Sequence, residues 1–275
     1  MDLGLENKVA LVAGGSSGIG LAVARELAGE GAHVAIGARD RDRLEAAERD
    51  LKEVARGRVH TTSVDITDRQ AARRWVEEVA ADLGALHVVL VSGGSPPIGT
   101  ASQFELEEYQ AAVDRVLLPA VNLALTALPY LKAAGWGRLL FVASETASVP
   151  IAPLALSGMT RAAIVRFAQA LAPEVGRDGV TVNVLAPGGV RTPPMERAAA
   201  KLAGDGDVEA QLRAMGHHSA VGRLARPEEV AAVAAFLASE RASYVTGAVH
   251  LIDGGAGVTG PELPHLTAAQ KNTYA

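Results

Sequence analysis

Short apolar runs alternate with longer mixed segments along most of the chain. Runs rich in Val, Ile and Leu are typical of strands buried on both faces of a parallel sheet, and the Ala-, Leu-, Arg- and Glu-rich segments between them are typical of covering helices. The predicted strands are Val9–Ala13, Val34–Ala38, Val59–Val64, Leu86–Val91, Arg138–Ala143, Val180–Leu185 and Val249–Ile252. The predicted helices are Ile19–Ala28, Arg41–Val54, Arg69–Leu83, Phe104–Ala134, Ser157–Val175 and Pro227–Ser239. The pattern predicts an α/β fold with a doubly wound parallel sheet of about seven strands in a single domain, 1–275.

Two segments fall outside this alternation. Residues 192–223 follow a predicted strand, begin near a Pro-Pro pair and contain the adjacent histidines His217 and His218. Long segments without a periodic pattern are often functional loops, so we expect a mobile flap over the site at 192–223. The tail 257–275 is polar, and we expect a weakly ordered terminus there.

A glycine-rich segment joins the first predicted strand to the first predicted helix. Gly14 permits a sharp turn, Gly18 permits close approach of a phosphate to the backbone, and Gly20 permits close packing of the helix. The free N–H groups and positive dipole end of the helix face the same point. With a strand before it and a helix after it, the segment is typical of a Rossmann-type dinucleotide site. The residues expected to hold the pyrophosphate are Gly14, Ser16, Ser17, Gly18, Ile19 and Gly20.

The end of the second predicted strand bears on the choice between NAD and NADP. Proteins that select NAD present an Asp or Glu to the ribose hydroxyls at this point, whereas this strand ends in Gly37, Ala38 and Arg39. A guanidinium pairs well with a phosphate. The sequence therefore predicts NADP as the cofactor, with Arg39 at its 2′-phosphate.

Composition narrows the classes of partner and chemistry. The 275-residue chain has 49% hydrophobic residues and a formal net charge of -5, so one sizeable core is expected and a nucleic-acid partner is not. There is no cysteine, and the adjacent histidines lack a spaced third ligand, so no metal site is expected. We find no leader-like start and no apolar stretch of the roughly 18 residues that a membrane span needs. We therefore expect a cytoplasmic protein without a membrane partner.

Several further motifs are similar to those of the short-chain dehydrogenase/reductase superfamily. The likeness runs from Lys8 to about Gly255 and includes Asn183 and, near its end, Asp253-Gly254-Gly255. The resemblance implies that Asp65 lies beside the adenine and that Gly93-Gly94 ends the segment that corresponds to the family's Asn-Asn-Ala-Gly motif. It also implies that Pro187-Gly188 forms a turn whose Thr192 reaches the nicotinamide. The implied cofactor contacts are Asp65, Ile66, Ser92, Gly93, Gly94, Pro187, Gly188, Val190 and Thr192. It also implies a small-molecule substrate and a homotetramer or homodimer, which the long Ala- and Leu-rich helices favour.

The same resemblance reveals a departure at the catalytic positions. Family enzymes hold the substrate oxygen with a Ser, protonate it with a Tyr whose pKa a Lys lowers, and complete the relay with an Asn on the preceding long helix. Ser144 matches the Ser, but the family spacing places Ser157 at the Tyr position and Arg161 at the Lys position. Val116 stands in place of the Asn, and Asn122 lies elsewhere on that helix.

These replacements change the chemistry that the site can perform. An aliphatic hydroxyl is a far weaker acid than a phenol, and a guanidinium keeps its proton. Because Ser157 and Arg161 are four residues apart on a predicted helix, both can face the cleft with Ser144. We therefore expect these residues to bind an oxyanion. Glu145 and the two adjacent histidines are the candidate proton donors.

Three functions remain open at this point. The first is an NADP-dependent oxidoreductase of the short-chain type that acts on a carbonyl, enone or imine of a small molecule. The second is a non-redox enzyme, such as a dehydratase, isomerase or cyclase, and the third is a catalytically inactive NADP-binding protein. We favour the first, with a cofactor-binding half at about 1–135 and a catalytic and substrate-binding half at about 136–256.

Overall fold

The computed structural model describes residues 2–258, which form a seven-stranded parallel sheet with helices on both faces. The strands are β1 Val9–Ala13, β2 His33–Ala38, β3 Val59–Ser63, β4 Val88–Val91, β5 Gly137–Val142, β6 Val180–Pro187 and β7 Val249–Ile252. The helices are α1 Gly18–Gly29, α2 Arg41–Val54, α3 Arg69–Leu83, α4 Leu106–Ala112, α5 Leu118–Ala133, α6 Ala155–Val175, α7 Pro193–Ala203, α8 Val208–Gly216 and α9 Pro227–Leu237. The predicted α/β fold with a doubly wound parallel sheet is confirmed.

The order of the strands fixes where a ligand can bind. The sheet reads β3-β2-β1-β4-β5-β6-β7, so the direction in which the chain adds strands reverses between β1 and β4. Ala10 of β1 pairs with Val34 on one side and with Val88 on the other. In sheets of this kind a crevice opens beyond the carboxyl ends of the strands at the point of reversal.

Apolar side chains from both faces of the sheet form two cores. Trp75 and Phe141 are the largest fully buried side chains of the core under α3, α5 and α6, and Leu27 and Leu51 lie in the core under α1, α2 and α9. Burying a Leu or Phe contributes about 1.5–3 kcal/mol. Strands β1, β4, β5 and β6 are buried along their whole length, which explains why their sequences are continuous apolar runs.

Helices α2 and α3 begin and end where the sequence predicted, because each has a clear start signal. The Asp40 carboxylate accepts a hydrogen bond from the Arg43 N–H at 3.1 Å. The Asp68 carboxylate accepts from the Gln70 and Ala71 N–H groups at 2.9 and 3.0 Å. An Asp at this position satisfies N–H groups that have no partner inside the helix.

Segment 192–223 is not the irregular flap that the sequence suggested, because α7 and α8 occupy most of it. The Pro-Pro pair that looked like a loop signal opens α7, where a missing N–H costs nothing. Asp207 caps α8 through the N–H groups of Glu209 and Ala210. Arg191 ties the helices together through ion pairs with Glu196 at 3.1 Å and Glu209 at 2.6 Å.

The helix predicted over 104–134 is interrupted. A π-helical turn, Val113–Leu117, lies between α4 and α5. Pro119 has no N–H to donate, and the Leu118 N–H bonds the carbonyl of Val113, five residues back. The predicted polar tail, 257–275, lies outside the described residues from 259 onward.

The expectation that no apolar stretch is as long as a membrane span was wrong by length and composition alone. Among the described residues, the helical stretch Leu106–Ala133 is long and apolar enough, by length and composition, to cross a membrane. Its Leu123, Ala124, Ala127 and Leu131 side chains are nevertheless fully buried in the core under the sheet. Core helices of this kind satisfy the same length and composition test.

Candidate functional site

The glycine-rich segment forms the turn between β1 and α1. Gly14 has a φ of 69°, in the left-handed region that favours glycine, and its N–H bonds the carbonyl of Gly37 at 2.9 Å. A Cβ on Gly14 would lie 2.9 Å from the Ser92 carbonyl oxygen, and one on Gly20 would collide with the Gly14 carbonyl. These two positions therefore require glycine for the close packing of strand, turn and helix.

The amino terminus of α1 is open to an anion. Ser17 stands at the N-cap, yet its side chain makes no capping hydrogen bond, and no acidic residue lies in the first turn. The first-turn N–H groups and the positive end of the helix dipole are thus not neutralised by the chain itself. Ser16, Ser17 and Ile19, which the sequence predicted to hold the pyrophosphate, are partly exposed at this turn. The turn fits a pyrophosphate.

A second glycine turn follows β4 and lies against the first. Ser92 is partly exposed, whereas Gly93 and Gly94 are exposed and have φ values of 141° and 71°. A Cβ on Gly93 would have the Ile66 Cδ1 as its nearest neighbour, at 3.8 Å, so a space opens beside this turn. The residues predicted to contact a dinucleotide after β1, β3 and β4 therefore share one edge of the sheet.

Arg39 and Asp65 lie at the carboxyl ends of β2 and β3, beside the same crevice. Their charged groups are 3.9 Å apart, and 77% of the Arg39 side chain is exposed. Burial alone would raise the pKa of Asp65, but hydrogen bonds from the N–H and hydroxyl of Thr67 and the charge of Arg39 bring that pKa below its usual value. Asp65 is therefore ionised at neutral pH.

The segment after β6 brings a further part of the chain to the phosphate turn. Val190 is buried, and the Thr192 hydroxyl bonds the Val190 carbonyl at 3.4 Å. A Cβ on Gly18 would lie 3.1 Å from the Thr192 Cγ2 atom, so Thr192 sits next to the start of α1. Pro187 ends β6, and Gly188 follows it with an N–H bonded to Ile252 at 3.1 Å.

Ser144 and Ser157 lie close to each other, with Thr146 between them. Ser144 follows β5 and caps a short 3₁₀ helix, Glu145–Ala147, by accepting a hydrogen bond from the Thr146 N–H at 3.2 Å. The Thr146 hydroxyl is 3.5 Å from the Ser157 hydroxyl near the start of α6. The structure thus links Ser144 and Ser157 through Thr146 beyond the carboxyl end of β5.

Arg161 uses much of its hydrogen-bonding capacity on the protein backbone. Its Nη1 donates to the Val142 carbonyl at 3.0 Å, and its Nη2 donates to the Gly93 and Gly94 carbonyls at 3.2 and 2.6 Å. Burial lowers the pKa of this guanidinium to about 10, so it still carries its charge at neutral pH. Only the Nε–H and one Nη1–H are left for another partner.

A cleft of about 670 Å³ opens next to Glu145, the residue that follows Ser144, although Ser144 and Ser157 themselves do not line it. Its walls combine apolar side chains with carboxylates. Burial raises the pKa of Glu145, and the charge of Asp253 raises it further. Asp253 accepts hydrogen bonds from the Gly255 and Gly257 N–H groups, both at 2.9 Å. The side chains that line the cleft include Glu145, Ile151, Met195, Met215, His218 and Asp253.

The sequence did not identify all of these residues. Met195 and Met215 reach the cleft from α7 and α8, the helices that were interpreted as a loop. The start signals Pro193 and Asp207 were present in the sequence and would have located both helices. His218, one of the two histidines that the sequence offered as candidate proton donors, lines the cleft just beyond the end of α8.

Two positions of the long helical stretch, Val116 and Asn122, bear on the missing relay Asn. Val116 is buried in the core, 3% exposed, and offers no polar atom. Asn122 donates to the Arg69 carbonyl at 3.3 Å, so it is directed at the start of α3. Across residues 2–258, no group of His, Asp or Glu is arranged to hold a metal ion.

Comparisons with known proteins agree with this geometry. A family model described as enoyl-(acyl carrier protein) reductase matches residues 13–257. A tropinone reductase homolog of Arabidopsis thaliana is 32% identical over 258 residues, covering 93% of this chain and 94% of that protein. A cis-4-hydroxycyclohexanecarboxylate dehydrogenase of Sinomonas cyclohexanicum is 34% identical over 251 residues, covering 90% of this chain and 96% of that protein.

A solved structure extends the likeness to three dimensions. L-sorbose reductase from Gluconobacter frateurii, complexed with NADPH and L-sorbose, superposes with a TM-score of 0.90 at 35% identity and covers 94% of this chain and 100% of that one. The glycine turn, the strand order and the matches over nearly the whole length point to one family of oxidoreductases. The chain therefore belongs to the short-chain dehydrogenase/reductase superfamily.

Proposed function

We propose that this protein is an NADP(H)-dependent oxidoreductase that acts on a carbonyl, enone or imine of a small molecule. The observation that carries the proposal is the open amino terminus of α1, uncapped by Ser17, together with the exposed guanidinium of Arg39 at the end of the neighbouring strand β2. NADPH would supply a hydride. The residues proposed to hold it are those that the sequence predicted as cofactor contacts, from Gly14 to Thr192.

The preference for NADP rests on the charges near Arg39. An enzyme that prefers NAD holds the ribose hydroxyls with an acid at the end of β2. The acid next to Arg39 is Asp40, and its carboxylate already caps α2 and pairs with Arg43 at 3.1 Å. A neighbour at 35% identity was solved with NADPH, which supports the same choice.

The substrate end of the proposed site is built from hydroxyls. Ser144 and Ser157 would donate hydrogen bonds to the substrate oxygen, whose negative charge grows as the hydride arrives. By the family spacing, Ser157 and Arg161 stand where Tyr and Lys are usual, so no phenol is proposed to give the proton. Tyr109, for example, donates its hydroxyl to the Ala101 carbonyl at 2.8 Å. Water in the cleft is the proposed proton source.

The cleft supports a substrate with an apolar body and a polar end. Ile151, Met195 and Met215 form the apolar part of the wall, and the Glu145 and Asp253 carboxylates form the polar part. We propose a cofactor-binding half at about 1–135 and a substrate-binding half at about 136–256, which meet at the crevice.

We also propose a homodimer or homotetramer in the cytoplasm. Large apolar side chains are exposed on α5, α9 and the edge strand β7: Leu125 is 49%, Phe236 40% and Leu251 48% exposed. Association of copies of this chain through these elements would cover the three side chains. Light scattering of the purified protein tests the assembly, and a monomer at micromolar concentration would exclude it.

The decisive experiment follows nicotinamide fluorescence and absorbance. NADPH and NADH are titrated into the purified protein, and a panel of ketones, enones and imines is then added while the absorbance of NADPH is recorded. We expect tight NADPH binding and substrate-dependent oxidation, with product formed in equal amount. Binding without oxidation across the panel would instead support a non-redox enzyme or an inactive NADP-binding protein, and product analysis without NADPH turnover separates those two.

A further inference from the structure

The turn after β4 is not held by secondary structure. Gly93 and Gly94 adopt φ values of 141° and 71°, which side-chain-bearing residues rarely adopt, and residues 92–98 belong to no helix or strand. Ser95 and Pro97 are exposed. Glycine turns of this kind lose much conformational entropy when they are ordered, so a fixed turn needs contacts from elsewhere in the chain.

Arg161 supplies side-chain hydrogen bonds to this turn, in addition to the packing of Gly94 against Arg115 and Val116. In the part of the chain that the structure describes, it is the side chain that hydrogen-bonds residues 92–98, through the Gly93 and Gly94 carbonyls. The third bond, to the Val142 carbonyl at 3.0 Å, attaches the same guanidinium to the end of β5. A planar group with several fixed donors can join carbonyls of two neighbouring strand ends, whereas an ammonium is a single point charge.

The anchored turn is also one wall of the phosphate site. The Ser92 carbonyl would be only 2.9 Å from a Cβ on Gly14, so the two glycine turns touch. If the second turn moves, the first loses its neighbour. The position of the Gly93–Gly94 turn therefore controls the shape of the crevice in which a dinucleotide would lie.

We propose that Arg161 is a positioning residue that fixes the Gly93–Gly94 turn against the phosphate turn and thereby sets the affinity for NADPH. This inference rests on the proposed function, because it takes the crevice to be the NADPH site. It replaces our sequence-based expectation that Arg161 binds the substrate oxyanion. Charge-assisted hydrogen bonds to carbonyls are stronger than neutral ones, which suits a group with this task.

Three variants test the proposal. Arg161→Met keeps the length of the side chain but removes every donor, and Arg161→Lys keeps a charge with fewer fixed donors. Arg166→Met is the matched control, because Arg166 lies on the same helix, is exposed, and bonds only the Gln169 side chain at 2.8 Å. The dissociation constant for NADPH and the hydrogen exchange of residues 92–99 are measured for each, the exchange without cofactor.

We expect Arg161→Met to weaken NADPH binding at least tenfold and to speed hydrogen exchange at residues 92–99. Arg161→Lys should give values between those of Arg161→Met and the wild type. The control, Arg166→Met, should match the wild type in both measurements. Unchanged NADPH affinity with a loss confined to kcat would overturn the proposal in favour of substrate contact. If Arg161→Met does not fold, the Lys variant decides by the same measurements. If the wild type itself binds no NADPH, the proposed function fails, and unchanged exchange at 92–99 then overturns the anchoring separately.

Discussion

The guanidinium of Arg39 lies 3.9 Å from the carboxylate of Asp65, across the carboxyl ends of β2 and β3. Both side chains are exposed, at 77% and 43%, and an exposed pair at this distance contributes less than about 1 kcal/mol. Breaking this ion pair therefore costs little free energy if Arg39 turns from Asp65 to bind a phosphate. The pair marks where the adenosine end of a dinucleotide would lie.

Replacing Arg39 by Ala is expected to change cofactor preference. A charge-assisted bond to a phosphate is worth about 1.5–3 kcal/mol, so the dissociation constant for NADPH should rise by about 10- to 100-fold. That for NADH should stay within about twofold, since NADH lacks the 2′-phosphate. Fluorescence titration measures both, and Arg41→Ala, at an exposed residue on the first turn of α2, is the control. If Arg39→Ala weakened the binding of NADPH and NADH equally, Arg39 would not be the residue that binds the 2′-phosphate.

Ser144→Ala and Ser157→Ala are expected to lower kcat with any substrate found in the panel. Each change removes a hydroxyl that would bind the developing negative charge, and loss of one such donor costs on the order of 100-fold in kcat. Steady-state kinetics at saturating NADPH measures the effect. Ser243→Ala, at an exposed position far along the chain, should leave kcat unchanged. Full activity in both variants would show that the substrate oxygen is held elsewhere.

Glu145→Gln is expected to stabilise the protein at neutral and alkaline pH. Burial and the charge of Asp253 raise the pKa of Glu145, so the folded protein holds this proton more tightly than the unfolded chain does. Stability is therefore lost as pH rises from the ordinary Glu value through the raised one, and Gln avoids that loss. Thermal unfolding should show a higher Tm for the variant at pH 8, by about 2–4 °C per kcal/mol, and no difference at pH 4. If the difference in Tm between the variant and the wild type grew toward acid pH, the pKa of Glu145 would not be raised in the folded protein.

Asn183→Ala is expected to destabilise the fold by about 1–3 kcal/mol. Asn183 is fully buried in β6, donates to the Val245 carbonyl at 2.7 Å and accepts from the Ala248 N–H at 3.3 Å. The change leaves two backbone groups near β7 without this partner. Urea unfolding measures the loss, and Asn122→Ala, whose longer bond lies near the surface, should cost less than about 1 kcal/mol. Equal losses at the two positions would argue against a special role for Asn183.

The sequence predicted those elements that carry both an apolar pattern and a local start signal. Helices α2 and α3 follow Asp40 and Asp68, and their predicted bounds match the structure. Strands β1 and β7 also match, since turns interrupt the chain at both ends of each. The phosphate turn was predicted for the same reason: its chemistry depends on adjacent residues.

Features that depend on distant residues were not predicted. The Gly94 carbonyl that Arg161 binds is a backbone group 67 residues away in sequence, and no residue type announces it. Glu145 and Asp253 meet across the cleft only because β5 and β7 are brought to the same edge of the sheet. Helices α7 and α8 were missed for a different reason: their start signals, Pro193 and Asp207, were present, but they were interpreted as part of a loop, because Pro and Asp also occur in turns.

The contact between Gly14 and the Ser92 carbonyl has a consequence for protein engineering. Because a Cβ at one position would strike the backbone of the other, the two turns cannot be redesigned one at a time. A library that varies the first turn around a fixed second turn should return mostly variants that fail to bind a dinucleotide. Changes to this part of the site therefore need both turns to be transplanted together from a single donor.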